Sequence, residues 1–384
     1  MKPVRSIAVL GSTGSVGRNA LQVAADHPDR FRVLALAAGS NWKLLADQVK
    51  AFRPRYCALA DRDALERLRG EVRHLSTEII DGSEGVDAIL EDPEIDAVLL
   101  SVVGAAGLPA AHAALQRRKH LAVANKESLV MAGELLCRLA RENGLSILPV
   151  DSEHSAVFQA IRTGSHAEIR RVILTASGGP FRRTPREDLA NVTPEAALRH
   201  PVWKMGPKIT IDSATMMNKA LEIVEAKWLF GLRADQIEVA VHPQSLVHSM
   251  VEFHDGAVVA QMGVPDMKVP IQYALSFPER LPRPERGFRF GDFASLTFER
   301  PDVEKFPAIR LGYLAAEQGG TMGAVLNGAN ETAVRRFLEG RIRFPRIAAV
   351  VEEVMSRHDC RSVGSIEDVF EADRWSRDEA SRIS

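Results

Sequence analysis

Asp151 and Glu153 stand one residue apart in PVDSEH, beside His154, at the end of the apolar run LSILPV. Read as a strand, that run sends alternate side chains to one face, so both carboxylates would point the same way. Like charges so placed repel unless a cation lies between them. That cation is either a metal ion or a Lys or Arg side chain. A third carboxylate comes from IDSATMMNKALEIVEAKWLFG, whose periodicity predicts a helix over about 214–230. There Asn218 and Glu222 are four apart, and Lys219 and Glu222 three apart, so each pair shares a helix face. Met216, Met217, Leu221, Val224 and Trp228 would form the packed side. Taken alone, Glu222 reads as a surface carboxylate and His154 as a hydrogen-bonded structural histidine. Taken together, an oxygen-rich set without paired His or Cys favours Mg2+ or Mn2+ over Zn2+.

Three further segments could hold anions. GSTGSVG places Gly11, Gly14 and Gly17 between an apparent first strand and a helix. Glycines there allow a tight turn, and the helix N-terminus offers amides to a pyrophosphate. The second strand ends LAAGSNWK, with Gly39, Ser40, Asn41 and Lys43 and no acid to hold ribose hydroxyls, which favours NADP over NAD. TASGGPF puts Ser177, Gly178 and Gly179 after a strand, as either a phosphate cradle or a turn before Pro180. Ser213, near the expected helix start, adds a hydroxyl and free amides. HPVWKMGPK, with His200, Trp203 and Met205, is compatible with an ordinary loop or with a lid whose indole covers a ligand.

These residues need a scaffold. Over the first 150 residues, apolar runs at 6–11, 31–39, 56–60, 96–104, 120–127 and 145–151 alternate with helical patterns. That pattern predicts a parallel sheet covered on both faces. From 151 to about 285, strands at 170–179, 208–212 (KITID), 237–242 and 256–263 mix with the one strong helix, as in an α+β domain. FPERLPRPERGFRFGDF reads as a connection, with a linker at 286–301 and a helical domain over 302–384 whose last residues, DRWSRDEASRIS, form an exposed helix end. The 384 residues carry 49 basic and 50 acidic side chains, which argues against non-specific nucleic-acid binding. Cys57, Cys137 and Cys360 form no secretory framework. MKPVRSIAVLG runs straight into a strand, so the expectation is a cytoplasmic chain without a membrane segment.

The strings GSTGSVG, VGAAGL, ANKESLV, PVDSEH, SGGPF, HPVWKMG, DSATMMNKALE, VHPQS and LNGANE occur in this order over residues 11–331. In this they closely resemble the 1-deoxy-D-xylulose 5-phosphate reductoisomerases of isoprenoid biosynthesis. The resemblance implies an α/β fold of three parts: a Rossmann-like NADPH-binding domain (1–150), an α+β catalytic domain (151–285) and a C-terminal helical domain. It implies a homodimer that rearranges 1-deoxy-D-xylulose 5-phosphate and reduces the resulting aldehyde to 2-C-methyl-D-erythritol 4-phosphate. Thr13, Gly14, Ser15 and Val16 would then meet the NADPH phosphates, and Gly39, Ser40 and Asn41 the adenosine end. Asn125, Glu127 and Gly206 would touch the cofactor elsewhere. Asp151, Glu153 and Glu222 would bind Mg2+ or Mn2+, with Co2+ a further candidate. Lys126, Ser152, Glu153 and Glu222 would meet the sugar part of the substrate. Ser177, His200, Ser213, Asn218 and Lys219 would hold its phosphate and chain. Lys126, Glu153, His200 and Trp203 would carry the catalytic roles.

One position departs from part of that family: Ser40 stands where some members have Lys, so Lys43 or another cation would have to pair with a 2′-phosphate. Two other functions compete. A semialdehyde dehydrogenase would need a nucleophilic cysteine in a catalytic setting. A non-catalytic NADP-binding regulator would not need the carboxylates, Lys126 and the phosphate-seat residues together. LNGANE, with Asn327, Asn330 and Glu331, has no assigned role beyond tying the helical part to the catalytic part.

Overall fold

The structure, a computed structural model, describes residues 4–200, 205–283, 287–289, 291 and 295–383. Trp203 and part of the expected linker lie outside the described residues. The chain forms two compact units. The first comprises Met1–Asn125, Leu136–Asp151 and Met267–Arg286, and the second comprises Lys126–Leu135, Ser152–Asp266 and Gly287–Ser384.

The first unit begins β1 (Arg5–Leu10), α1 (Ser15–Asp26), β2 (Phe31–Ala38), α2 (Trp42–Phe52), β3 (Tyr56–Leu59) and α3 (Arg62–Val72). It continues β4 (Glu78–Asp81), α4 (Gly82–Leu90), β5 (Ala97–Leu100), α5 (Leu108–Gln116) and β6 (His120–Val123). Helix α6 (Lys126–Glu142) follows, broken at Ala132 (φ −135°, ψ 25°), and β7 (Ile147–Pro149) completes the sheet. The strands pair in parallel in the order β4-β3-β2-β1-β5-β6-β7. Ile7 to Leu10 and Ala97 to Leu100 are all buried, as expected where helices cover both faces. The strand order reverses between β1 and β5, the place where open α/β sheets bind ligands beyond their carboxyl ends.

The second unit continues with α7 (Ser152–Ala160), β8 (Ile169–Ala176), α8 (Pro194–Ala197), α9 (Pro207–Ala214), α10 (Met217–Phe230), β9 (Ile237–Val241), β10 (Val247–Phe253) and β11 (Val258–Met262). The four strands form a mixed sheet in the order β11-β10-β8-β9. Helix α11 (Lys268–Ser276) belongs to the first unit, where the Arg5 guanidinium donates to the Leu275 carbonyl at 2.6 Å. Helices α12 (Ala308–Gln318), α13 (Met322–Leu338), α14 (Arg346–Arg357) and α15 (Ile366–Arg382) end the chain. Helix α10 is buried almost all round, including Lys219, Glu222 and Glu225, so it is a central helix and not a surface one.

Four local expectations are corrected. KITID is not a strand but part of α9: Pro207 sits in the first helical turn, and Lys208 pairs with Asp212 four residues on at 2.8 Å. Its alternation of apolar and polar residues mimics a strand, yet an i,i+4 ion pair requires a helix. PVDSEH does not carry its acids on a strand either. Strand β7 ends at Pro149, and Glu153 lies in the first turn of α7, where a carboxylate is favoured by the helix dipole. The helix expected over about 214–230 is α10, but it begins only at Met217, because Met216 adopts a left-handed conformation (φ 61°) that parts it from α9. DRWSRDEASRIS is not an exposed end, because Asp373, Ser376 and Ala380 of α15 are buried. Strands β4 and β10 were not anticipated.

Close helix crossings rely on glycine. A Cβ on Gly323 in α13 would lie 2.0 Å from the Val130 carbonyl oxygen, and one on Gly312 in α12 would lie 2.5 Å from Ala220 Cα. Gly323→Ala is expected to cost about 1–3 kcal/mol through overpacking. Gly70→Ala, in helix α3 with open space around the position, is expected to be neutral or to stabilise by up to about 1 kcal/mol. Paired denaturant titrations check this; equal midpoints for the two variants would refute the packing account.

Candidate active site

In the second unit, α10 supplies the centre. Glu222 is fully buried. The Lys219 ammonium donates to Glu222, to Glu153 Oε1 at 3.2 Å and to the Thr175 carbonyl at 2.5 Å. The Lys126 ammonium donates to Asn218 Oδ1 at 2.7 Å and to Glu222 Oε1 at 3.2 Å, and the Asn218 amide also donates to Glu222. The Ser152 hydroxyl donates to Glu153. Lys126, Ser152, Glu153, Asn218, Lys219 and Glu222 are therefore one polar cluster. The chain enters this unit through Asp151, and Asp151, Glu153 and Glu222 each offer an oxygen within 4.8 Å of the others. Three carboxylates against two ammonium groups leave a net negative charge, and the all-oxygen donor set suits a hard divalent cation. Asp151 also groups with His154 and Glu225. Both His154 nitrogens are engaged there, Nδ1 with Glu225 at 3.3 Å and Nε2 with the Glu222 carbonyl at 3.0 Å, and the ring stacks on Phe230. His154 thus orients α10 at Glu222, the structural role read from sequence.

A second set of groups lies beyond β8. Gly178 and Gly179 both have positive φ (83° and 68°), and a Cβ on Gly179 would come 2.7 Å from the Ser213 carbonyl. The SGG turn thus lies against the end of α9. The Ser177 hydroxyl meets His200 Nε2 at 3.2 Å. Ser177, His200 and Ser213 are brought together by this turn. Asn218 and Lys219 are on the carboxylate cluster. Gly206 caps α9 with no side-chain cap, and Glu127 is held by Lys208 at 2.8 Å.

The first unit carries the glycine turn. Gly11 has φ 89°, and a Cβ there would lie 2.7 Å from the Ser101 carbonyl, so no other residue fits between β1 and β5. Gly14 is the N-cap of α1 and makes no side-chain cap, and with Ser15 it is exposed, leaving the helix amides beside Thr13, Ser15 and Val16 accessible. Gly39, Ser40, Asn41 and Lys43 are exposed after β2, with Asn41 capping α2. Asn125 donates to the carbonyls of Val102 (2.8 Å) and Gly104 (2.9 Å), clamping the loop after β5.

Profiles of the 1-deoxy-D-xylulose 5-phosphate reductoisomerase family match residues 7–133, its C-terminal domain matches 147–230, and a further DXP reductoisomerase C-terminal domain matches 262–379. The 1-deoxy-D-xylulose 5-phosphate reductoisomerase of Trichlorobacter lovleyi is 50% identical over 99% of this chain and 97% of its own. That of Pelotomaculum thermopropionicum is 49% identical over 99% and 98%. The solved structure of the Zymomonas mobilis enzyme in complex with NADPH superposes with a TM-score of 0.93 at 42% identity, covering 99% of this chain and 98% of that one. A reductoisomerase in complex with NADPH, fosmidomycin and magnesium gives 0.92 at 38% identity, covering 98% of each. The chain belongs to the 1-deoxy-D-xylulose 5-phosphate reductoisomerase family.

Two residues of this reductoisomerase fold were not singled out from sequence. His248, buried on β10, feels the charge of Glu153, and Val103, in the loop clamped by Asn125, is an apolar side chain 69% exposed. Val103 opens the motif VGAAGL and His248 follows VHPQS by three residues, but neither residue type announces itself.

Burial lowers the imidazoles of His200 and His248 below their ordinary 6.5, with Glu153 opposing the shift. Between the folded values and 6.5 the unfolded chain binds more protons. Stability is therefore full above that pH and is lost as pH falls through the folded values. Denaturant midpoints are expected to drop as pH falls below about 6.5, less steeply in His200→Asn/His248→Asn. An identical slope in that double variant would assign the loss to other groups.

Proposed function

We propose that this chain converts 1-deoxy-D-xylulose 5-phosphate to 2-C-methyl-D-erythritol 4-phosphate with NADPH and a divalent cation, the reductoisomerase step of non-mevalonate isoprenoid biosynthesis. The observation that carries this is the cluster of Lys126, Glu153, Asn218, Lys219 and Glu222 in the same unit as the Ser177–His200–Ser213 turn. It offers one seat for the polar oxygens of a hydroxyketone and one for a phosphate.

Asp151, Glu153 and Glu222 are the residues we assign to Mg2+ or Mn2+. When bound, the cation polarises the ketone and neighbouring hydroxyl, and NADPH supplies the hydride. The chain's own groups do the rest. Lys126 shares the negative charge that develops on the substrate oxygens as the carbon skeleton rearranges. Glu153, in contact with Ser152, is placed to hold or move a hydroxyl proton. Ser177, His200 and Ser213, with Asn218 and Lys219, grip the phosphate and chain, so that remote binding energy orients the reacting end. His200, kept neutral at pH 7 by burial, donates a single N–H without adding charge. We assign Trp203 to covering the bound substrate. Thr13 to Val16 take the dinucleotide phosphates, Gly39 to Asn41 the adenosine end, and Asn125, Glu127 and Gly206 the remaining cofactor contacts. The three-part division at 150, 285 and 302 then separates cofactor, substrate and supporting roles.

The cysteines speak against a thioester mechanism. Burial pushes the Cys57 thiol up to about 12 and the Cys137 thiol up to about 11, far from a thiolate at neutral pH. None of the three cysteines forms a disulfide, in keeping with the cytoplasm, which we assign as its compartment. No described helix is long and apolar enough to cross a membrane.

We further propose a homodimer formed through β11. This strand is an edge of the mixed sheet, with Val258 51% and Met262 36% exposed, and such an edge invites pairing with a second copy. Ala260→Pro, which removes a ladder donor, is expected to shift the mass measured by light scattering from dimer to monomer. A wild-type monomer would refute the proposal.

The activity is tested by NADPH absorbance with 1-deoxy-D-xylulose 5-phosphate and Mg2+ or Mn2+. Turnover should stop with chelator and return with metal. Glu222→Gln is expected to raise the metal concentration for half-activation by at least about tenfold, since even groups behind the ligands cost that much. Metal dependence identical to wild type would remove Glu222 from the ligand set.

A further inference from the structure

Lys208 lies at the start of α9, with its ammonium 2.8 Å from Glu127 Oε1 and 2.8 Å from Asp212 Oδ2. The other Asp212 oxygen accepts from the Asn330 amide at 2.8 Å. Asp212 and Asn330 are 1% and 0% exposed, and Glu127 is buried too. Burial works against the charge on Lys208, but Asp212, Glu127 and Glu331 outweigh it and hold the ammonium above its ordinary range. Lys208 also opposes the effect of burial on Glu127 and keeps that carboxylate below its usual range.

Stability alone is a weak reason to keep such a set. Ion pairs taken out of water are often no more stabilising than well-packed apolar side chains of the same volume. The chain neighbours of these residues suggest another reason. Glu127 follows Lys126, which reaches Glu222 and Asn218. Asp212 precedes Ser213, whose carbonyl lies against Gly179 of the SGG turn. Lys208 therefore ties the turn that carries the polar-end lysine to the helix that carries the phosphate-end serine. Asn330 fixes α9 from α13. That helix is itself fastened to α15, since Asn327 donates to Glu331 at 3.0 Å and Glu331 pairs with Arg377 at 2.7 Å. A Cβ on Gly328 would lie 2.1 Å from Ser376 Oγ, so LNGANE combines a close helix crossing with a polar anchor.

We propose that Lys208, Asp212 and Asn330 form a positioning network that fixes the span between the Lys126–Glu222 end and the Ser177–Ser213 end of the substrate site. The network thereby matches the site to one length of phosphorylated hydroxyketone. None of the three touches the substrate. The inference rests on the functional reading above.

Steady-state kinetics and thermal unfolding of Asp212→Asn, Asn330→Ala, Lys208→Met and Lys208→Arg test it. Wild-type turnover with NADPH and Mg2+ comes first, and its failure would overturn the functional reading itself. Given turnover, Asp212→Asn and Asn330→Ala should raise KM for the sugar phosphate on the order of tenfold while KM for NADPH changes little, because small misplacements of binding groups are costly. Lys208→Arg, which keeps both ion pairs, should retain most of the wild-type kcat/KM, and Lys208→Met should lose it. Should Lys208→Met fail to fold, the other variants carry the test. Folded variants with a lowered unfolding temperature but wild-type KM and kcat would overturn the proposal. An effect confined to KM for NADPH would overturn it too, assigning the network to the cofactor through Glu127.

Discussion

A carboxylate with no exposure to water must be met by positive charge or by donated hydrogen bonds, and Glu222 is such a carboxylate. It receives Lys126, Lys219 and the Asn218 amide, and those three side chains come from two helices. Meeting this requirement organises the second unit. Helix α10 has to be central, so α12 must approach it closely, which Gly312 permits. The first turn of α6 has to face it, and α13 closes against the next turn at Val130, which Gly323 permits. The same charges that stabilise Glu222 are those a polar substrate and a divalent cation would meet. Site and scaffold are therefore hard to separate energetically.

The first unit solves a simpler problem. Its parallel strands are apolar on both faces, and its ligand-facing end is made by backbone. Gly11 passes against Ser101, and the α1 amides remain open because Gly14 offers no side chain to cap them. Such a site needs few special residues, which is why a single seven-residue string is enough to point to it.

Sequence reasoning recovered what has a strong period or a repeated residue type, and lost what depends on tertiary context. Strands β1, β2, β5 and β6 were legible because both faces are buried, leaving uninterrupted apolar runs. Strand β10 was missed because VHSMVEF carries His, Ser and Glu that pair or pack only once β8 and β11 are in place. KITID looked like a strand because its alternation is real; only the Lys208–Asp212 pair, visible in three dimensions, reveals the helix. The carboxylates Asp151, Glu153 and Glu222 were named correctly as neighbours for a reason that was partly wrong. Glu153 joins the cluster from the first turn of α7, and not from the pleat of a strand. Residue types alone cannot distinguish those two geometries, since a period of two and an early helical turn can each bring residues 151 and 153 near one another.

The lysines show why charge counting along a chain is a poor guide to sites. Spacing marked Lys219 as a neighbour of Glu222 and family likeness gave it a phosphate, yet its ammonium also reaches Glu153 and the Thr175 carbonyl. A flexible ammonium can serve several acceptors in turn, whereas a guanidinium would be committed to one planar arrangement. Were the carboxylates to hold a cation and a substrate to bring new oxygens, that freedom would be useful. The ammonium of Lys219 could then turn to an incoming anion without leaving a buried carboxylate unmatched, because Lys126 and Asn218 still face it. Redundant donors around one buried acid keep it matched even when one ammonium turns to another acceptor.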